Sequence, residues 1–151
     1  MTRHPRIDSA SQAVEVMKAG MREIAVPGHV RMTDEDWPFW HSVVSEFARS
    51  QWTDHSLELA AMLARSMADL EREQHLVRLE GFIVKRRNGT KVENPRSRVV
   101  KRLTSEILSL RRSLALHARA RGGDMRNIRR RSDIAKAIEA SNPLNDRLLG
   151  P

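Results

Sequence analysis

No cysteine occurs in this sequence, so disulfide frameworks, thiolate catalysis and cysteine-based metal sites are excluded together, and a reducing compartment fits. Only three Phe and three Trp are present, which leaves few large side chains to fill a core. Part of the stability is therefore expected from helix faces buried between subunits, and oligomerisation is the expected state. Apolar runs long enough to span a bilayer are also missing. The opening MTRHPRIDSAS carries basic residues without the apolar stretch of a secretory signal. A cytoplasmic setting without a membrane partner is expected.

Catalytic signatures are equally scarce. No GxxxxGK[ST] loop occurs, and Gly89-Thr90-Lys91 lacks the upstream glycine and following helix of a phosphate cradle. His4, His29, His41, His55, His75 and His117 form no i, i+4 pair and no HExxH spacing. Asp34, Glu35 and Asp36 read as a capped helix start rather than a metal site. The expectation is a protein that is not an enzyme, with no catalytic residue, metal or cofactor.

What the chain does have is charge, unevenly spread. Residues 1–31 carry +2, 32–80 carry −6, 81–131 carry +13 and 132–151 carry −1, within a net +8 over 151 residues. An acidic half joined to a basic half suggests a polyanionic partner, and nucleic acid is the commonest. The length suits one compact unit with tails.

Hydrophobic spacing predicts a mainly α fold. After a basic arm, Ser9 or Ser11 caps a helix through AVEVMKAGMREI, with Val14, Met17, Met21 and Ile24 as its apolar stripe and Pro27-Gly28 as its end. Thr33 and Asp36 resemble a capping box ahead of a second helix. There Trp37, Trp40, Val44 and Phe47 share a face, and Pro38 is tolerable only in the first turn. Thr53 opens a long third helix over 54–80, about 40 Å at 1.5 Å per residue, with Gly81 as a left-handed cap. Asn88-Gly89, between FIVK and KVE, signals a β-hairpin with a type I′ turn. Asn94-Pro95 starts a fourth helix, whose Val100, Leu103, Ile107, Leu110 and Leu114 alternate spacings of three and four like a coiled-coil seam. After Gly122-Gly123 a shorter helix runs through IRRRSDIAKAIEA and stops before Asn142-Pro143, leaving a tail.

The architecture expected is a core of two long antiparallel helices joined by a short β-hairpin, flanked by N-terminal helices and a C-terminal helix and tail. The divisions fall at 1–52, 53–121 and 122–151. The small residues Ala61, Ala64 and Ala68 would let a neighbouring helix approach, so with Val100, Leu103, Ile107, Leu110 and Leu114 they are the candidate oligomer interface.

Not every cation is a nucleic-acid candidate. Arg96, Arg98, Lys101 and Arg102 oppose the dipole of their helix, as Asp69, Glu71, Glu73 and Glu80 oppose that of theirs. An antiparallel pairing lets the two sets neutralise one another, within or between subunits. Two clusters stay unpaired: the hairpin tip with Lys85, Arg86, Arg87 and Lys91, and the group Arg119, Arg121, Arg126, Arg129, Arg130 and Arg131. A third candidate is N-terminal, with Lys18, Arg22 and Arg31 beside the arm residues Arg3 and Arg6. The acidic start at Asp34 to Asp36 and the long link from Ala25 to Thr33 argue against a plain helix-turn-helix there. Trp37, Trp40 and Trp52 read as core anchors before base-stacking platforms.

Four stretches together resemble the small terminase subunits of tailed double-stranded DNA bacteriophages. They are DWPFWHSVVSEFARSQWTDHSLELAA, the acidic helix LAAMLARSMADLEREQHLVRLEG, the hairpin VKRRNGTKVENP and the helix VVKRLTSEILSLRRSLAL, over about 34–121. The resemblance implies a non-catalytic ring that recognises the packaging-initiation site on double-stranded phage DNA. It also implies that the ring recruits and regulates a large ATPase-nuclease subunit. By the same resemblance the two long helices build the ring, the flanking segments meet DNA, and the tail, with Leu144, Leu148 and Leu149, meets the large subunit. Host bacterial cytoplasm, rather than the mature virion, is the implied location. A dimeric helix-turn-helix repressor and an RNA-binding or scaffold protein use the same clusters and stay open as alternatives.

Overall fold

The computed structural model describes residues 10–116 and 125–141. Among them are five α-helices and one hairpin: α1 (Ala10–Gly20), α2 (Trp37–Val44), α3 (Asp54–Glu80), β1 (Ile83–Lys85), β2 (Lys91–Glu93), α4 (Arg96–Ser113) and α5 (Met125–Ala140). A 3-10 turn, Arg49–Gln51, precedes α3.

The long helix α3 begins where its capping chemistry dictates. The Thr53 hydroxyl accepts the Ser56 amide at 3.2 Å and the Ser56 hydroxyl accepts the Thr53 amide at 2.8 Å, which satisfies two amides that lack helical partners. At its other end the Gly81 amide donates to the Val77 carbonyl. Gly81 is not the left-handed cap expected. With φ 89° and ψ 156° it has a positive φ that favours glycine but not the ψ of a left-handed helical residue, and it sends the chain directly into β1.

The hairpin pairs Ile83 with Glu93, Val84 with Val92 and Lys85 with Lys91. Its turn is also not type I′. The Gly89 amide donates to the Arg86 carbonyl, the Arg86 amide to the Thr90 carbonyl, and Gly89 alone at the tip has positive φ, 82°. That is a three-residue loop, a type I turn closed by a left-handed glycine. The Asn88 side chain is used in a different way, accepting the Thr90 amide at 3.1 Å.

Helix α4 returns antiparallel along α3. Ile107, Leu110 and Leu114 pack against Leu57, Ala60, Ala61, Leu63 and Ala64, closed by Trp40, Val43 and Trp52. Ala60, Ala61 and Ala64 are completely buried. The small residues do admit a close helix neighbour, and in this structure that neighbour is α4 of the same chain. The candidate oligomer set is thus used inside the subunit: Ala61, Ala64, Ala68, Ile107, Leu110 and Leu114 are buried, Val100 and Leu103 half-buried.

Two N-terminal expectations need correction. Helix α1 stops at Gly20, ahead of Pro27, and the Arg49 guanidinium takes the free Gly20 carbonyl there at 2.8 Å. Its buried residue is Val16, whereas Val14 and Met21 of the expected stripe are about half exposed. In α2 the Trp40 ring is buried, but Trp37 lies outside the core, stacked on His41 at 5.9 Å, and Phe47 falls beyond the helix end. The Thr33 amide and hydroxyl both donate to Asp36 Oδ2, at 2.7 and 2.9 Å.

Packing contacts cross the points at which the sequence was divided. Helix α2 shares the α3–α4 core, and α5 packs on α1 and the 3-10 turn, where Val16, Ala48 and Ala135 form a second small core.

Candidate nucleic-acid interface

At the junction of α3, hairpin and α4 the charges are arranged to hold structure. Asn94 is 1% exposed, and its side-chain amide donates to Glu80 Oε2 and to the Gly81 carbonyl, both at 3.0 Å. Its oxygen accepts the Arg96 amide at 3.0 Å, the cap expected of it, although the helix itself is counted from Arg96. Arg96 reaches Glu73 at 2.9 Å and Glu80 at 3.1 Å. The Asn94 hydrogen bond, and after it Arg96, holds the Glu80 carboxyl below its ordinary pKa; Glu73 and then Glu80 raise that of Arg96.

The expected mutual neutralisation is only half realised. Arg96 is matched as described, and Lys101 pairs with Glu93 at 3.2 Å in the hairpin. Asp69 is taken by Arg72 within its own helix, a hydrogen bond that raises the pKa of Arg72, which also reaches Glu35 at 3.2 Å. Arg98 and Arg102 are exposed and have no acidic partner among the described residues. Arg111 and Arg112, further along α4, share that condition, while the one acid of the helix, Glu106, is half-buried and accepts the Ser66 hydroxyl at 3.2 Å. Sequence reasoning missed this outward basic face. Its signal was present, since Arg98, Arg102 and Arg112 fall off the seam of Leu103, Ile107, Leu110 and Leu114.

At the hairpin tip Lys85, Arg86, Arg87 and Lys91 are all exposed, and no acid among the described residues pairs with them. Lys85 lies directly across the ladder from Lys91, a like-charge pair that weakens so short a hairpin. The N-terminal cluster is divided. Lys18 is exposed, but Arg22 forms an ion pair with Asp54 at the start of α3. In α5, Arg130 and Arg131 are exposed; Arg126 and Arg129 belong to the helix, with side chains outside the described residues. Arg3, Arg6, Arg119, Arg121, Leu144, Leu148 and Leu149 also lie outside them.

Among the described residues no group of three or more His, Asp or Glu side chains is placed to hold a metal ion, and no helix is long and apolar enough to cross a membrane. His29 and His55 both lie 3.4 Å from Glu58.

These features define a class: a mainly helical protein with two long antiparallel helices, a cation-tipped hairpin between them and an outward basic face. The chain belongs to the Hendrixvirinae small terminase family, whose model matches residues 1–151. It is 30% identical over 149 residues to the terminase small subunit of Enterobacteria phage HK97, covering 93% of this chain and 87% of that one. Membership makes it the small subunit of a phage packaging terminase, a class of subunit that is in general regulatory rather than catalytic.

Proposed function

We propose that this chain is a ring-forming, non-catalytic DNA-binding subunit that recognises the packaging-initiation site on double-stranded phage DNA and recruits the large ATPase-nuclease subunit in the host cytoplasm. Family membership supports the packaging role. The observation that carries the DNA reading is the set of exposed cations without acidic partners among the described residues, Lys85, Arg86, Arg87 and Lys91 at the tip and Arg98 and Arg102 on α4. Arg and Lys in that state supply sequence-independent phosphate affinity, and a closed ring multiplies a few contacts per subunit into tight binding.

With the α3–α4 seam closed within the chain, the ring contact falls on apolar groups left outside. Met62, Leu79, Phe82, Ile83, Val99 and Leu108 are each between 44% and 71% exposed and suit a neighbouring subunit. The tail, with Leu144, Leu148 and Leu149, is assigned to the large subunit.

Native mass and duplex-DNA titration over a salt series test the reading together. A ring of many copies is expected, as is a slope of log K against log salt reduced by about one per cation removed in Arg86→Ala/Arg87→Ala/Lys91→Ala. A monomer at micromolar concentration rejects the ring, and a dimer favours the repressor reading. Affinity for duplex DNA no greater than for an unrelated acidic polymer rejects site recognition. A chain truncated after Ser141 is expected to keep ring and DNA affinity while losing stimulation of the large subunit's ATPase.

A further inference from the structure

Five asparagines occur in the chain, and only Asn88 is followed by glycine. Asn94 and Asn142 precede Pro95 and Pro143, whose nitrogens carry no hydrogen, while Asn127 precedes the β-branched Ile128 and Asn145 precedes Asp146. The difference matters chemically. An asparagine side chain can be attacked by the backbone nitrogen of the next residue, and that nitrogen must lose a proton and approach without a side chain in the way. Gly89 meets both conditions, having an N–H, no Cβ, and nothing within 4 Å of the place a Cβ would occupy.

The turn favours this attack in three ways. Asn88 and Gly89 are both exposed, so water reaches them. The Asn88 side-chain oxygen accepts the Thr90 amide at 3.1 Å, which draws the side chain back along the backbone that follows it and polarises its carbonyl for attack. Around it stand Lys85, Arg86, Arg87 and Lys91, exposed and without acidic partners among the described residues, and their charge favours the anionic nitrogen and the oxyanion of a ring closure. One contact opposes the reaction: the Gly89 amide donates to the Arg86 carbonyl at 2.8 Å and must be released before its nitrogen attacks. The hairpin is suited to local release, since its strands are three residues each and Lys85 lies directly across from Lys91.

We propose that Asn88 is a self-modifying site, deamidating through a succinimide closed by the Gly89 nitrogen. The Gly89 N–H proton passes to hydroxide, the nitrogen bonds to Asn88 Cγ, the Cγ–Nδ2 bond breaks, and the side-chain nitrogen leaves as ammonia after taking a proton from water. Water then opens the ring at either carbonyl, giving aspartate or isoaspartate. Both products place a carboxylate among the four cations of the tip, and isoaspartate also routes the backbone through the side chain and lengthens the turn. The reaction does not depend on the DNA-binding reading above. Its consequence does: a modified subunit holds phosphate less well at the tip.

The test is to incubate the folded full chain at neutral and mildly alkaline pH, with peptide mass mapping to locate deamidation and enzymatic methylation to count isoaspartate. Aspartate and isoaspartate are expected at position 88, faster at the higher pH and ahead of the other four asparagines. If position 88 keeps its amide, or reacts no faster than Asn127 or Asn145, the proposal is overturned. Direct hydrolysis of the side chain gives aspartate alone, so isoaspartate reports the ring. Gly89→Pro removes the nucleophile's N–H whatever it does to the turn, and is expected to abolish isoaspartate at 88; its continued formation there would overturn the proposed route. Asn88→Asp is expected to bind duplex DNA more weakly than wild type, with a slope of log K against log salt lower by up to about one. Wild-type affinity and slope in that variant, with isoaspartate still forming in the wild-type chain, would remove the tip from the DNA surface and leave the reaction standing.

Discussion

Asn94 donates its side-chain amide to Glu80 across the end of the hairpin, at 3.0 Å, joining the last residue of α3 to the residue two before α4. The same side chain holds the Gly81 carbonyl and the Arg96 amide, so one buried amide group satisfies both helix ends and the backbone between them. This contact ties the base of the bend between the two long helices, beside a hairpin whose strands are three residues each with only the central residue of each half-buried.

Asn94→Ala leaves the Gly81 carbonyl and the Arg96 amide without their side-chain partner at a part-buried junction. A loss of about 1–3 kcal/mol is expected, measured as a lower urea midpoint. An unchanged midpoint would mean that water reaches those groups.

Glu80 makes this junction pH-sensitive. Because its folded pKa is depressed, chiefly by Asn94, the stability it lends is present above the unfolded pKa and is lost as pH falls through the folded one. Wild-type protein is expected to exceed Glu80→Gln in stability at pH near 7, with the gap closing below about pH 4. Melting curves at both pH values provide the check, and a constant gap would assign the effect elsewhere.

The turn geometry makes Asn88 and Gly89 unequal. Gly89 has φ 82° and open space where a Cβ would go, so Gly89→Ala is strained by its backbone alone, by about 1 kcal/mol or more. Asn88→Ala loses only the bond to the Thr90 amide and is expected to stay within about 0.5 kcal/mol. Equal, large losses at both positions would restore the type I′ turn.

Ile107→Asp separates core from ring. Ile107 is 7% exposed within one chain, packed in the cluster that joins α3 and α4. A carboxylate there is expected to cost about 3 kcal/mol or more and to unfold the subunit. A well-folded monomer, seen as native helical content at reduced native mass, would place Ile107 between subunits after all.

Much of the helical order was legible along the chain. Thr53 and Asp54 set the start of α3, Gly81 its end, Asn94-Pro95 the start of α4, and the three-four spacing of Leu103, Ile107, Leu110 and Leu114 the face that α4 buries. These are local rules, in which capping and periodicity act over a few residues and need no knowledge of what lies across the core.

What packs against that face is a different kind of fact. A seam of Ile and Leu opposite alanines fits a helix from the same chain as well as one from a neighbour, and only the tertiary arrangement gave it to α3. The ends of the sequence were undetermined for the same reason. Nothing local to Glu139 says that its carboxylate will meet the amides of Arg49 and Ser50 ninety residues earlier, and nothing local to Gly20 says that its carbonyl will be taken by Arg49. Charge content and helix propensity are properties of the residues themselves, so the sequence by itself determined a mainly helical chain with a basic hairpin and a basic C-terminal half. Which cations are matched by acids, as Arg22 is by Asp54, and which, like Arg98 and Arg102, find none among the described residues depends on distances between segments remote along the chain. Packing alone fixes those distances.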